Sequence, residues 1–257
     1  MTFSDDELER YARHIVLPNV GGAGQARLKE ASALIVGAGG IGSAVIQSLA
    51  GAGFGQLTIL DDDVVDLSNL QRQPIFRTDQ VGQPKAELAV SFVNQLNPHV
   101  KATVVPERID AANADRLIAG HALVIDGSDN FATRLAVSDS SVRCQVPLVS
   151  AAAAQFQAQV GLWRGWEPAL PCYRCFVGDA FDADDCDNCA ELGVLGALVA
   201  TAGHFAALMA IQAVVGFGKE AAGSVHVLDG LSFSLRQVRV PKDPGCRACG
   251  GGNASHS

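Results

Sequence analysis

Ala33-Leu34-Ile35-Val36-Gly37-Ala38-Gly39-Gly40-Ile41-Gly42 decides the fold of this chain. Four apolar residues read as a buried strand, and the glycines after them turn the chain into a helical stretch, Ser43 to Ala52. Leu57-Thr58-Ile59-Leu60 is the next strand, and it ends on Asp61-Asp62-Asp63. Strand, glycine turn, helix, strand and acidic end make a βαβ unit of the nucleotide-binding kind. Gly37, Gly39, Gly40 and Gly42 allow a phosphate to approach the backbone at a helix N-terminus, and Asp61 is placed to take ribose hydroxyls. The motif alone does not separate NAD from ATP.

The alternation continues outward from this unit. Pro84 to Leu96 reads as a helix stopped by Asn97-Pro98, Val100 to Val105 as a strand and Ala111 to Ala119 as a helix. Leu123 to Asp126 is a strand, Phe131 to Cys144 a helix, and Pro147-Leu148-Val149 a short strand. The pattern predicts an α/β fold: a Rossmann-like, mostly parallel sheet with helices on both faces. Beyond Ser150 it changes, and Gln155 to Trp163 and Ser224 to Val240 alternate like antiparallel strands. Upstream, Ser4-Asp5-Asp6-Glu7 is a capping box that starts a helix through Arg10, Tyr11 and Arg13, and Gly21, Gly22 and Gly24 read as a turn. Residues 1–250 are expected to be one domain, with a nucleotide-binding half of 30–150 and a second half of 151–250; 251–257 have the composition of a disordered tail.

Composition narrows the function. A net charge of −8 argues against a nucleic-acid binder, which would carry a basic stripe. The charged, amphipathic start has no export signal, and cysteines at ligand-like spacing fit a reducing compartment, so a cytoplasmic protein is expected. Leu192 to Phe217 lacks Asp, Glu, Lys and Arg, but its glycines, Thr201, His204 and Gln212 favour a helix buried in a core or a subunit seam over a membrane span.

Further motifs separate ATP from NAD. Leu67-Ser68-Asn69-Leu70-Gln71-Arg72-Gln73, Gly82-Gln83-Pro84-Lys85 and Asp129-Asn130 come after the glycine turn in order. With Arg10-Tyr11-x-Arg13, Pro171-Cys172-x-x-Cys175 and Pro244-Gly245-Cys246-x-x-Cys249, this series resembles the MoeB/ThiF family, related to the activating domain of ubiquitin-activating enzymes. The resemblance implies an adenylyltransferase that uses ATP and magnesium to activate the C-terminal carboxylate of a ubiquitin-like sulfur carrier ending in Gly-Gly, MoaD-like or ThiS-like, for molybdopterin or thiamine synthesis. It implies that Arg72 and Lys85 are the phosphate cations, with Asn69, Gln73 and Asn130 as polar neighbours. Asp129 would hold or orient magnesium, and Asp61 would bind ribose. Arg13 would reach in from the partner subunit of a homodimer. His14 stands where the family usually carries Gln. No membrane or nucleic-acid partner is implied, and a separate sulfur donor is expected because no rhodanese-like domain comes after Cys249. An NAD-dependent oxidoreductase would leave Arg72, Lys85 and Asp129 without a role, and a non-catalytic scaffold would not need them.

Three Cys-x-x-Cys pairs, Cys172/Cys175, Cys186/Cys189 and Cys246/Cys249, offer four-thiolate zinc sites in any two of the three combinations, and spacing does not choose. The resemblance selects Cys172, Cys175, Cys246 and Cys249 for a structural zinc that fastens the C-terminal segment. It also aligns Cys189 with a family cysteine that takes part in sulfur transfer. A helix N-terminus after Cys189 favours its thiolate, whereas Asp184, Asp185, Asp187 and Glu191 oppose it; Cys186 offers a redox pairing. Cys144 reads as buried packing, and the aspartates from Asp179 to Asp187 as a solvated crossover or a lid on the carrier.

Overall fold

Along β1 (Ser32–Val36) side chains alternate between two cores. Ala33 and Ile35 join one cluster, and Leu34 and Val36 the other. A strand apolar on both faces must lie inside a sheet covered on both sides, and the computed structural model, which describes residues 2–178 and 193–251, has it there. The sheet has eight strands in the order β3-β2-β1-β4-β5-β6-β7-β8. They are β2 (Gln56–Leu60), β3 (Lys101–Val105), β4 (Leu123–Asp126), β5 (Leu148–Ala154), β6 (Gln157–Trp163), β7 (Ser224–Asp229) and β8 (Ser234–Arg239). Pairing is parallel from β3 to β5 and antiparallel from β5 to β8, as the sequence pattern predicts.

Helices cover both faces of this sheet. On one face lie α2 (Gly21–Glu30), α3 (Gly40–Ala52), α4 (Lys85–Leu96) and α8 (Gly196–Val215); on the other lie α5 (Ala114–Ile118) and α6 (Phe131–Cys144). Near α6 sits α7 (Tyr173–Val177), and α1 (Asp5–Ile15) packs on α2. Helix α8 is long and apolar enough to cross a membrane by length and composition, yet half of it is buried, and it packs against α3, β5 and β6. Its small residues serve that contact: a Cβ on Gly203 would lie 2.5 Å from the Ile41 carbonyl oxygen.

Local signals hold where the sequence carries them. Both bonds of the capping box form, Ser4 N–H to Glu7 (2.9 Å) and Glu7 N–H to Ser4 (3.2 Å). Asn97, fully buried, stops α4 and donates to Tyr11 Oη (2.8 Å) and to the Ala50 carbonyl (2.7 Å), locking α1 to the core. Two expectations change. Gly21, Gly22 and Gly24 belong to α2, not to a turn: Gln25 and Leu28 of the same helix are fully buried, and a Cβ on Gly24 would lie 2.8 Å from Val215 Cγ1. Close packing on α8 requires glycine there and overrides its poor helix propensity. The helix expected from Ala111 begins at Ala114, because Asp110 and Asn113 bond reciprocally to each other's backbone and form a turn instead.

Candidate functional site

Four neighbouring registers end the parallel strands at one level. Val36 pairs with Leu60 and Asp126, Leu60 with Val105, and Asp126 with Ser150. The loops beyond these residues all rise from the same edge, where strand order reverses about β1, the position at which α/β sheets open a crevice. A cavity of about 1130 Å³ lies there. It is lined by Gly37, Gly39, Gly40, Asp61, Asn69, Arg72, Gln73, Lys85, Asp129 and Asn130, every nucleotide-binding residue expected from the sequence except Gly42. Gly42 supports the loop from below: a Cβ there would fall 1.9 Å from the Gly37 carbonyl oxygen, so no other residue fits.

The glycine loop is held from both sides. Gly37 has φ +88°, and its N–H bonds the Leu60 carbonyl at 2.8 Å. Asp61 accepts from Ala38 N–H (2.7 Å) and Asp63 N–H (2.9 Å), one on each oxygen. Burial raises the Asp61 carboxyl above its ordinary value, against the pull of these amides and of Lys85. Each oxygen keeps a lone pair for a hydroxyl donor. The N-terminus of α3, capped by Gly39 without a side-chain bond, faces the cavity with free amides and the positive end of the helix dipole.

The cations are anchored differently. Lys85 is buried, and its Nζ pairs with Asp63 at 3.0 Å, so an incoming phosphate shares or displaces that carboxylate. The sequence alone assigns Asp63 no role; its place just past Asp61 is the available signal. Arg72 bonds the Ser68 carbonyl at 3.1 Å. Gln73 is 3% exposed, and its Oε1 has no hydrogen-bond partner among the described residues. A buried acceptor left unpaired costs on the order of 1–3 kcal/mol, which a polar ligand would recover.

Across the crevice, β4 ends in a second polar loop. Asp126 is fully buried and accepts from Ser128 N–H (2.9 Å). Burial raises its carboxyl, and the Arg134 guanidinium opposes that shift. Arg134, itself buried, donates to the Ser128 carbonyl and so fixes the loop. Asn130, rather than Asp129, caps α6, accepting from Thr133 N–H at 2.8 Å. Asp129 is therefore left at the cavity wall, exposed and without a hydrogen bond or ion pair among the described residues, a suitable ligand for a hard cation. The opposite wall carries no charge: Ala152, Ala153, Ala154, Gln155, Gln157 and Gln159 line it. No sequence motif singles out these glutamines, although their spacing of two is the signal of one strand face.

Arg13 is exposed on α1 and does not line this cavity; His14, beside it, bonds Gln25 at 3.1 Å. Cys189, Cys186 and the aspartates of 179–187 lie outside the described residues. Cys144 is half-buried at the end of α6, its thiol 3.7 Å from the Asp115 carbonyl, and not the core residue expected.

Behind the β5–β6 end of the sheet, Cys172, Cys175, Cys246 and Cys249 converge, with all four Sγ atoms within 4.8 Å of one another. Contacts of 3.6 Å (Cys172–Cys246), 3.3 Å (Cys175–Cys249) and 3.9 Å (Cys172–Cys175) bracket the sulfur–sulfur spacing of roughly 3.8 Å that a tetrahedral zinc with bonds of about 2.3 Å requires. Burial, with the neighbouring sulfurs, pushes the Cys172 thiol up and Cys249 to about 11. For Cys246 burial is outweighed by the N–H groups of Ala248 and Cys249, and its thiol falls below its usual value. Thiolates this close need a cation between them, and the set can hold zinc. Arg174, in α7, grips Asp139 of α6 with 3.0 and 2.8 Å bonds, tying the knuckle to the helix that begins at the polar loop.

Known proteins share this arrangement of elements. The profile of the ThiF family matches residues 11–248. The sulfur carrier protein adenylyltransferase of Thermus thermophilus is 40% identical over 255 residues, covering 97% of this chain and 93% of the relative. The molybdopterin-synthase adenylyltransferase of Escherichia coli is 40% identical over 247 residues, covering 96% and 98%. Among solved structures, E. coli MccB in complex with MccA-N7isoAsn superposes with a TM-score of 0.82 at 22% identity, over 94% of this chain and 75% of MccB, which is a likeness of fold.

Proposed function

This chain belongs to the ThiF family, and we propose that it is an ATP-dependent adenylyltransferase activating the C-terminal glycine of a ubiquitin-like sulfur carrier. The observation that carries the reading is the division of one cavity into a phosphate-type wall and a neutral wall. The first has free helix amides, Arg72, Lys85 and Asp129; the second has small alanines and glutamines, suited to an extended Gly-Gly tail whose peptide groups need hydrogen-bond partners and little room.

A carboxylate oxygen of the tail attacks the α-phosphorus of ATP, forming a C–O–P linkage as the bond to the β-phosphate bridging oxygen breaks. Negative charge gathers on the departing pyrophosphate, where Arg72 and Lys85 stabilise it. Lys85 leaves Asp63 as it does so. Asp61 accepts the ribose hydroxyls, Gln73 and Asn69 bond the phosphate group through their amide N–H donors, and the loop bearing Asn130 keeps Asp129 aimed inward. Magnesium, held by Asp129, would supply charge neutralisation on the triphosphate. No comparable role for Arg72, Lys85 and Asp129 exists in a nicotinamide oxidoreductase.

Arg13 lies on an exposed helix and acts from the partner of a homodimer. A zinc at the four cysteines is structural, since a closed set of thiolates leaves no open position. Cys189 serves the later sulfur transfer, with sulfur from a separate donor, in the cytoplasm. The test is carrier-dependent ATP–pyrophosphate exchange with MoaD-like and ThiS-like carriers side by side. Exchange with one of them, abolished by deleting its terminal glycine, is the expected result and assigns the pathway to molybdopterin or to thiamine. Absence of exchange with either carrier would sink the proposal for these two pathways.

A further inference from the structure

The loop after β3 forms one edge of the cavity with two side chains, Arg108 and Ile109. Ile109 is 2% exposed, an apolar surface turned inward. Arg108 is exposed, and its guanidinium has no hydrogen bond or ion pair among the described residues. Its backbone, by contrast, is tightly held. Asn113 Nδ2 donates to the Arg108 carbonyl at 2.9 Å, and Asp110 Oδ1 accepts from Ala112 (2.8 Å) and Asn113 (3.1 Å). The Arg116–Glu107 ion pair closes the loop at 2.7 Å. A rigid loop that presents an unpaired planar cation beside a buried apolar residue is built to receive something flat.

The sheet indicates what that is. Across its C-terminal edge the order is β3, β2, β1, so Arg108 and Ile109 stand beyond Asp61 on the side away from the glycine loop. A nucleotide with phosphates at Gly37–Gly40 and ribose at Asp61 continues in that direction by one more strand spacing, about 4.8 Å, and the group attached to the far side of the ribose is the base. We infer that Arg108 and Ile109 form the base subsite: Ile109 supplies the apolar floor, and Arg108 lays its guanidinium against a face of the purine. Guanidinium suits this because it stacks on aromatic rings while remaining hydrated at its edges. The inference rests on the nucleotide assignment above.

The test measures ATP and AMP binding to the full chain by calorimetry, without any carrier. Arg108→Ala is expected to weaken both by roughly tenfold, the scale of a cation–π contact, and to leave the apparent affinity for pyrophosphate in the reverse reaction unchanged. Arg108→Lys keeps the charge and loses the plane, so it stays weak; Arg108→Tyr keeps a plane and recovers much of the loss. Because Arg108 is exposed, melting curves of all three should match the unmutated chain. Rescue by Lys with weaker pyrophosphate binding in Arg108→Ala would make Arg108 a phosphate contact and overturn the inference, as would unchanged ATP affinity in Arg108→Ala. Unmutated chain that binds ATP but gives no exchange with a carrier defeats the proposed function and leaves the base subsite standing. Unmutated chain that binds no ATP defeats both.

Discussion

The cavity and the cysteine cluster are assembled by opposite rules. Around the cavity, polar groups are left without partners: Gln73 Oε1 and Ser128 Oγ are buried and unpaired among the described residues, and Asp129 stands exposed without a bond there. At the cluster the unsatisfied groups face one another, four sulfurs within 4.8 Å. Open valence directed outward suits a substrate that enters and leaves. Open valence directed inward suits an ion that stays. The first arrangement costs stability and serves chemistry; the second stores stability and does no chemistry.

The comparison breaks most sharply at the cavity. Arg72→Ala and Asp129→Ala should each lower carrier-dependent exchange by about a thousandfold, with melting temperature and metal content unchanged. A loss of fold in either variant would mean that the cavity is structural after all. At the cluster the roles reverse. Cys249→Ser, or prolonged chelation, should remove bound zinc and destabilise the chain by several kcal/mol, on the order of 3, as monitored by metal analysis and thermal melting. ATP affinity measured well below the melting temperature should change little. If zinc loss instead abolished ATP binding with the fold intact, the two regions would not be separable. The smallest effect belongs to neither region. On the outer surface the Arg143 guanidinium, helped by Ser140, holds the Asp115 carboxyl below the usual carboxylate range. A carboxyl lowered on folding stabilises above its unfolded value and loses that contribution as pH falls through its lowered one. Arg143→Ala should therefore cost less than about 1 kcal/mol near neutral pH, shrinking to nothing in acid, in urea titrations across pH.

Much of this is legible in the chain, for local reasons. The glycine loop, the capping box and the helix Phe131–Cys144 are each specified by neighbours in sequence, through φ freedom, cap bonds and apolar period. The nucleotide residues are legible only as an ordered set, since a lone Arg72 or Asp129 reads as a solvated charge. The choice of Cys172, Cys175, Cys246 and Cys249 comes from the resemblance, because spacing leaves three combinations open, and proximity in space selects the same four. The glycines of 21–24 mislead because their reason is a contact with Val215, far along the chain.

The sequence by itself determined the parallel βαβ core, its switch to antiparallel pairing and the family of chemistry, because periodicity and turn residues act over a few positions. Tertiary structure alone decided that Lys85 is paired with Asp63, that Asn130 rather than Asp129 caps α6, and that Arg108 stands one strand beyond the ribose carboxylate. Those facts depend on which strands are neighbours and where they end. Such relations are fixed by the packing of segments tens of residues apart, and no local pattern records them.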